Sequence, residues 1–569
     1  MPPPGAPQAP PAGAGGYGYP GPQTPPTGAG GYGYPGPPGY GPTQAQPVHA
    51  QPTQVGIPPQ PYGAQPPYGY PQAPVPPGPG GAPGDGGDRK AARQRMMIIV
   101  SAVVAVALIV GAGIFFITKD DGGSTEADDG NKTSQGPTGD PGKDTGGTKG
   151  GFTSKPAPDP VDARLLNAVR VPKVKTDQVT VPGLWATDKI FAKTEDYKIT
   201  GYPVEGGKPT WQIPLDGQVC QGWRGVTEDN LTAIVFEDHK PKNDKDYADC
   251  SEIGLVDLDA GKLVWQKHIE DGGSRIDFDE VTIGAGTVAA GGLDGGAAWS
   301  LDGKQLWAPS EGDCEDRGYE GSEEKLVAAT YCGEYDSPNI KVSTVNPKTG
   351  DVISGYQVPR GIKDVHVVSA DPLVLGLEAA GESYDVTDVW VIDDSAATGK
   401  LKTKISTRNG QYVVDCDSTN IGGCTQIVVS EQTDTIFMAS EERSNGGAGA
   451  VNEIVAFSMK TGKTIGKADG DSEAATVPLK LDEDGYLIAY QQPTYRKGGS
   501  VWRIDPTTYK KDLLMRNPDT SVDQETWFSP DSSWVSYVNG RLYLGYVYAS
   551  KPSGAFDNER LLAMGFGAG

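Results

Sequence analysis

Histidine is scarce in this chain of 569 residues, which contains only four. His49 lies in the N-terminal part, while His239, His268 and His366 lie in the C-terminal part. None of these three stands in a local motif for a Ser-His-Asp triad or a metal site, both of which need groups that converge in space. We therefore expect a structural role for each histidine, and we predict no catalytic residue and no metal site.

Cysteine is also scarce, and no two cysteines are adjacent. No CxxC pair or CxxCH haem site is present, and the spacings between neighbouring cysteines match no zinc pattern. All six lie in the C-terminal part, as expected of a domain in an oxidising compartment. Six cysteines could pair in many ways, and we favour sequence neighbours, which predicts the disulfides Cys220–Cys250, Cys314–Cys332 and Cys416–Cys424.

Branched aliphatic side chains are almost missing from residues 1–95, which are rich in Pro, Gly, Tyr and Gln. Such a segment cannot bury enough apolar surface to offset the entropy of ordering. The sequence GAGGYGYPGP occurs at 13–22 and again at 28–37. We predict a disordered, low-complexity tail, which is either simply solvated or available to a cytoplasmic partner through its Pro- and Tyr-rich repeats.

Residues 96–117 contain no charged side chain, and they are long enough for a helix that crosses a hydrocarbon core about 30 Å thick. The segment RKAARQR before it has four cations, and the segment TKDDGG after it has one cation and two anions. This asymmetry predicts a single-pass signal anchor in the cell membrane, with the N-terminus in the cytoplasm and the C-terminal domain outside. Late cleavage of a signal peptide is the alternative. Residues 118–160 read as an acidic, Gly-rich linker.

The formal net charge of -24 argues against a nucleic-acid partner. The acidity either keeps an exported protein soluble or indicates calcium or a cationic partner. The acidic segments 238–249 and 312–324 have no regularly spaced oxygen ligands. We predict no cofactor, and calcium remains an alternative without a motif.

One motif recurs through residues 161–569: an apolar strand, Asp or Asn, a turn that ends in Gly and usually Lys, and a second strand. A turn followed by a residue with positive φ makes a short hairpin, and glycine adopts this conformation at no steric cost. The turn positions, spaced about 50 residues apart, are Gly207, Gly261, Gly303, Gly350, Gly399, Gly462 and, with glycine replaced, Tyr509.

With other apolar runs between the hairpins, each repeat supplies about four short strands, which is a propeller blade. We predict an all-β propeller of about eight blades in residues 161–569, with seven blades as the alternative. A strand from the N-terminal end of this domain would complete the last blade and leave no open edge. The segment 174–186 is our candidate for that strand.

The Asp…Gly-Lys…Trp pattern is clearest at 201–211, 256–265 and 299–307, and over residues 199–517 it resembles the PQQ-like repeats of quinoprotein-type propellers. The resemblance implies that Trp211, Trp265 and Trp307 dock between neighbouring blades. Later copies depart from it, with Gly355, Lys404, Gly466 or Leu513 near the tryptophan position. Quinoprotein dehydrogenases hold their quinone against a disulfide between adjacent cysteines, so the resemblance implies the fold without that cofactor site.

Two functions remain from this reading. The first is an extracytoplasmic module that binds, senses or scaffolds a protein, peptide or cell-wall ligand. The resemblance favours it, because similar propellers occur in sensor domains of actinobacterial membrane kinases and in the lipoprotein subunit of the outer-membrane barrel assembly machine. The second is a quinone-dependent dehydrogenase, hydrolase or lyase with a site in the central channel, for which no residue gives positive support.

Overall fold

In a computed structural model of the chain, the described residues are 152–174, 178–243, 245–309, 312–335, 337–381, 386–407, 410–417, 420–444, 449–471, 473–551 and 560–569. The predicted tail 1–95, the predicted membrane segment 96–117 and the linker up to residue 151 lie outside them. Within the described ranges, every helix is too short to cross a membrane.

The described strands form eight sheets in chain order, which are the blades of a propeller. Their strands pair antiparallel, except that Val161–Asp162 pairs parallel with Lys511–Arg516 in blade 7. Blades 1 to 4 contain Leu184–Ala186, Ile190–Glu195, Lys198–Pro203 and Trp211–Pro214; Val219–Gly222, Leu231–Phe236, Glu252–Asp257 and Lys262–Lys267; Glu280–Gly284, Thr287–Gly291, Ala297–Ser300 and Gln305–Trp307; and Cys314–Gly321, Leu326–Cys332, Asn339–Val345 and Val352–Gln357. The predicted all-β propeller is thus confirmed, with eight blades.

Blades 5 to 8 continue the same plan. They contain Ile362–Ser369, Val374–Ala379, Asp388–Asp393 and Lys400–Ser406; Tyr412–Val413, Ile427–Ser430, Thr435–Ser440, Ile454–Ser458 and Thr464–Ala468; Thr476–Leu481, Leu487–Gln491, Ser500–Ile504, Lys511–Arg516 and Val161–Asp162; and Ser533–Val538, Arg541–Tyr546, Leu561–Gly567 and Arg164–Arg170.

Smaller elements lie in the connections. Three two-stranded ribbons are formed by Glu270–Asp271 with Ser274–Arg275, Arg443–Ser444 with Ala450–Val451, and Gln178–Thr180 with Tyr548–Ser550. A 3₁₀ turn, Asp519–Ser521, and a four-residue α-helix, Val522–Glu525, lie between blades 7 and 8.

The hydrophobic core lies between blades, in clusters that each join neighbouring sheets. Because both faces of the second strand of a blade are covered, such a strand can be apolar without alternation, as in Ala233–Phe236 of blade 2, where all four side chains are fully buried. The rings of Phe191 and Tyr543, from blades 1 and 8, stack with centroids 4.7 Å apart.

The ring closes with a strand from the N-terminal end of the domain, but a different one from our candidate. Arg164–Arg170 pairs antiparallel with Leu561–Gly567 and forms the outer strand of blade 8. Within the candidate segment 174–186, Gln178–Thr180 pairs with Tyr548–Ser550, and Leu184–Ala186 is the inner strand of blade 1. Leu184 and Trp185 are buried there, so this apolar segment is needed in the core and cannot serve as an outer strand.

Most of the predicted turn positions have the expected backbone conformation. The angle φ is positive at Gly207, Gly261, Gly303, Gly350, Gly462 and Tyr509. Gly399 departs from the prediction and does not adopt a left-handed φ. Its turn is instead fastened to blade 4, because the Gly399 N–H donates to the Gly355 carbonyl at 2.9 Å and the Gly355 N–H donates to the Ala397 carbonyl at 3.1 Å.

The indole rings of the three motif tryptophans lie against the turn glycine of the next blade. A Cβ atom on that glycine would come within 2.3, 3.1 and 3.2 Å of the ring for the pairs Gly261 with Trp211, Gly303 with Trp265, and Gly350 with Trp307. The contact is reversed between blades 6 and 7. Gly466 takes the strand position there, and the ring of Tyr509 comes from the turn, 1.9 Å from where a Cβ on Gly466 would lie.

The up-and-down order of strands gives the disc two different faces. Short turns join the first strand to the second and the third to the fourth in most blades, and we call the side that carries them the linker face. On blade 7 this face receives residues 152–160: the ring of Phe152 lies 4.9 Å from that of Tyr486, and the Tyr486 hydroxyl donates to the Lys155 carbonyl at 2.9 Å. We call the opposite side the loop face. It carries the connections between blades and those from the second to the third strand within a blade.

Candidate functional site: the central channel and its plug

The inner strand of blade 6 is interrupted by an excursion into the central channel. Tyr412–Val413 and Ile427–Ser430 both pair with Thr435–Ser440. The described residues between them, 414–417 and 420–426, leave the sheet as a hairpin, which we call the plug. Its base is closed by a bridge between Asp415 and Thr425 and by the Cys416–Cys424 disulfide.

The tip of the plug is held by carboxylates of two other blades. The N–H groups of Ile421 and Gly422 donate to Glu280 Oε2 at 2.7 and 3.1 Å. The N–H of Gly423 donates to Glu320 Oε2 at 3.2 Å. On its other oxygen, Glu280 accepts the Tyr319 N–H at 2.7 Å. The two channel carboxylates are therefore engaged by the chain's own backbone.

Burial controls the protonation of these two groups. Burial raises the pKa of Glu280 to about 8, and the negative charge of Glu320 adds to this rise. The backbone N–H groups of Gly422, Tyr319 and Ile421 act in the opposite direction, because they stabilise the ionised carboxylate. Burial also raises the pKa of Glu320 to about 7, and the N–H groups of Gly321 and Gly423 act in the opposite direction. Both carboxyl groups therefore change charge near neutral pH.

His366 supports the plug from blade 5. Its Nδ1 lies 2.7 Å from the carbonyl oxygen of Asn420, and its Nε2 lies 3.2 Å from Glu378 Oε1. Because a carbonyl can only accept, Nδ1 carries the proton. The other two histidines lie on blade 2 and its following connection, near carboxylates: His239 contacts Asp238 and Asp246, and His268 contacts Glu252 and Glu270.

Ligand atoms of His366, Cys416 and Cys424 lie within 4.8 Å of one another, the one such group with metal-like spacing among the described residues. Both sulfur atoms belong to the disulfide and cannot bind a metal as thiolates. All six cysteines are paired as the sequence favours, in Cys220–Cys250, Cys314–Cys332 and Cys416–Cys424.

Beside the plug, the channel keeps a cavity of about 430 Å³, lined by inner strands and adjoining loops. The guanidinium of Arg224 lies 4.6 Å from the ring centroid of Trp534. Desolvation in the cavity lowers the pKa of Arg224, although its side chain is exposed, and the charges of Asp415 and Asp417 act in the opposite direction. Desolvation also lowers the pKa of Lys480, an exposed residue that lines the same cavity.

The structure places the predicted turn glycines and docking tryptophans at the blade peripheries, away from this channel, and brings together residues that sequence reasoning missed. Glu280, Glu320 and the plug tip belong to no local motif, and they meet only because the ring closes. The one signal in the sequence was the short Cys416–Cys424 spacing, which predicts a closed loop but not its destination.

No protein-family model and no curated protein matches the chain. Solved structures with similar folds include BamB from Moraxella catarrhalis, at 10% identity and a TM-score of 0.37 over 71% of this chain and 100% of that one. Another is the quinohemoprotein alcohol dehydrogenase ADHIIG from Pseudomonas putida HK5, at 11% identity and a TM-score of 0.39 over 71% of this chain and 76% of that one. At these values the likenesses carry no conclusion about ligand or activity.

Proposed function

We propose that this chain is a single-pass membrane protein whose propeller, outside the cytoplasm, binds a protein, peptide or cell-wall ligand and catalyses no reaction. The cation asymmetry around residues 96–117 and the confinement of all cysteines to one side support this location. A PQQ-like propeller of this kind would act as a rigid recognition or scaffolding disc.

The observation that carries the proposal is the engagement of the channel carboxylates by the plug. A general acid or base must be within hydrogen-bond reach of the proton that it transfers. The Glu280 carboxylate accepts three backbone N–H groups and Glu320 accepts two. Catalysis in the channel would require the plug to leave, and its base is locked by a disulfide.

Reconstitution of the purified full-length chain with pyrroloquinoline quinone and calcium tests this proposal. We expect no shift in the melting temperature and no dye reduction with alcohols or sugars, because adjacent cysteines are absent and the channel carboxylates are occupied. Calcium alone serves as the control for a simple metal effect. A stoichiometric quinone complex that oxidises substrate would establish the quinone-dependent enzyme instead.

A further inference from the structure

The exposed apolar side chains of the described residues fall into two groups. Six lie on outer strands of the blades: Leu165, Val264, Val352, Ile353, Leu401 and Ile465. The other six, which include every exposed aromatic ring, lie in loop-face connections: Tyr247, Leu293, Tyr335, Tyr495, Trp527 and Tyr548. The face opposite the linker therefore presents the rings that interfaces use most.

Three of these side chains belong to consecutive blades. Tyr247 is 82% exposed on blade 2, Leu293 is 53% exposed on blade 3, and Tyr335 is 72% exposed on blade 4. Each lies in the connection from the second to the third strand. The connections of blades 2 and 4 are tied at their base by Cys220–Cys250 and Cys314–Cys332. Such tying lowers the entropy lost when a loop binds a partner.

Carboxylates share this sector, which we call the acidic–aromatic patch (Tyr247, Asp277, Leu293, Asp294 and Tyr335). Burial raises the pKa of Asp277, and the charges of Asp249, Asp294 and Asp279 raise it further, so these groups repel one another. Within the described part of the chain, the carboxylates of this patch are not close enough together to form a metal site. Two cations of this sector are held by the chain itself: Arg275 Nη1 lies 2.5 Å from Glu252 Oε1, and the Arg317 guanidinium lies 5.2 Å from the Tyr335 ring centroid.

We propose that the acidic–aromatic patch binds a Lys- or Arg-rich segment of a partner protein, an inference that rests on the proposed binding function. Exposed tyrosine faces attract ammonium and guanidinium groups, and the carboxylates attract the same charges. A neutral glycan could stack on the rings but would leave the carboxylates without a counter-charge. Anionic wall polymers and phosphate-rich surfaces would be repelled.

The test uses the purified full-length chain in detergent and fluorescent nona-arginine at about 0.15 M salt, a concentration that screens distant charges. We expect the double variant Tyr247→Ser/Tyr335→Ser to weaken binding about fivefold or more, a typical loss for interface aromatic residues. The matched control is Tyr495→Ser/Tyr548→Ser, which makes the same chemical change at exposed rings of blades 7 and 8 and should alter Kd less than about twofold. Neither variant changes the net charge, so attraction to the whole acidic chain stays constant, and thermal melting verifies folding.

Equal affinities of the wild-type chain and the patch variant would overturn the inference, since binding would then depend on net charge alone. Absence of nona-arginine binding would also overturn it, as would tighter binding of nona-glutamate or chitohexaose through the same two tyrosines. Tighter binding of nona-glutamate or chitohexaose would still be consistent with the proposed binding function, but with a different ligand. Quinone-dependent turnover in the reconstitution experiment would overturn the proposed function itself, whatever the peptide does.

Discussion

A glycine at a hairpin tip has two separate roles in blades 2 to 4. It supplies a positive φ, and it leaves room for the tryptophan of the preceding blade. Blades 6 and 7 separate the two roles: Tyr509 adopts φ of 60° without being glycine, and Gly466 supplies only the space. The sequence motif predicts the first role, but the exchange of ring and glycine between two blades follows only from their packing.

Comparison of Gly261→Ala with Gly286→Ala should isolate the packing role. Both glycines have a positive φ, at 64° and 73°, so both substitutions strain the backbone. Only at Gly261 would the new Cβ meet a ring, since nothing lies within 4 Å of the corresponding position at Gly286. We expect the free energy of unfolding in urea to fall by about 1–3 kcal/mol more for Gly261→Ala. Equal losses would show that the tryptophan moves away at no cost.

At the scale of elements, the sequence predicts blades well because each blade is a local repeat of hairpins. The plug is different, since its binding partners are remote: the contact between Ile421 and Glu280 spans 141 residues. No periodic pattern marks Glu280, which reads as the first residue of an ordinary inner strand. The sequence therefore could not predict the candidate site, although it did predict the Cys416–Cys424 disulfide at the base of the plug.

The two plug carboxylates should make stability depend on pH. Their unfolded-state pKa is near 4.5, and in the folded chain it is raised to about 8 for Glu280 and about 7 for Glu320. The folded state then binds these protons more tightly, so their contribution to stability is complete below pH 4.5 and is lost as the pH rises through the folded values. We expect the free energy of unfolding to fall between about pH 5 and 8.

The variant Glu280→Gln/Glu320→Gln should flatten this profile, because glutamine keeps an acceptor oxygen for the plug without titrating. Glu323→Gln, on an exposed linker-face turn, is the matched control and should leave the slope unchanged. Parallel pH profiles for the wild-type chain and the double variant would contradict this account.

At the scale of the whole molecule, the repeat predicted the ring, but our candidate for the strand that closes it was wrong. Arg164–Arg170 carries no copy of the motif, and only over Asn167–Arg170 do its side chains alternate between buried and exposed, as in an outer strand. An apolar segment such as 184–186 is a stronger sequence signal, and the core of blade 1 uses it. Because the strand that closes the ring has no distinctive sequence pattern, it is hard to identify from the sequence.

The proposed orientation can be tested on intact cells stripped of their wall. Four cations precede residue 96, and all cysteines follow residue 117, so protease should remove the region beyond residue 117 and spare the tail. Antibodies against each end would report the fragments, and permeabilised cells would show that the tail can be cleaved. Digestion of the tail with protection of the propeller would reverse the orientation.

The contacts of residues 152–162 set a mechanical order of failure. The strand Arg164–Arg170 both closes the ring and continues into the linker, so tension applied at the N-terminus is directed toward the closure itself. Before this tension reaches Arg164–Arg170, it must separate Phe152 from Tyr486 and unpair Val161–Asp162 from blade 7. We therefore expect these short contacts to separate under tension before the pairing of Arg164–Arg170 with Leu561–Gly567 is broken.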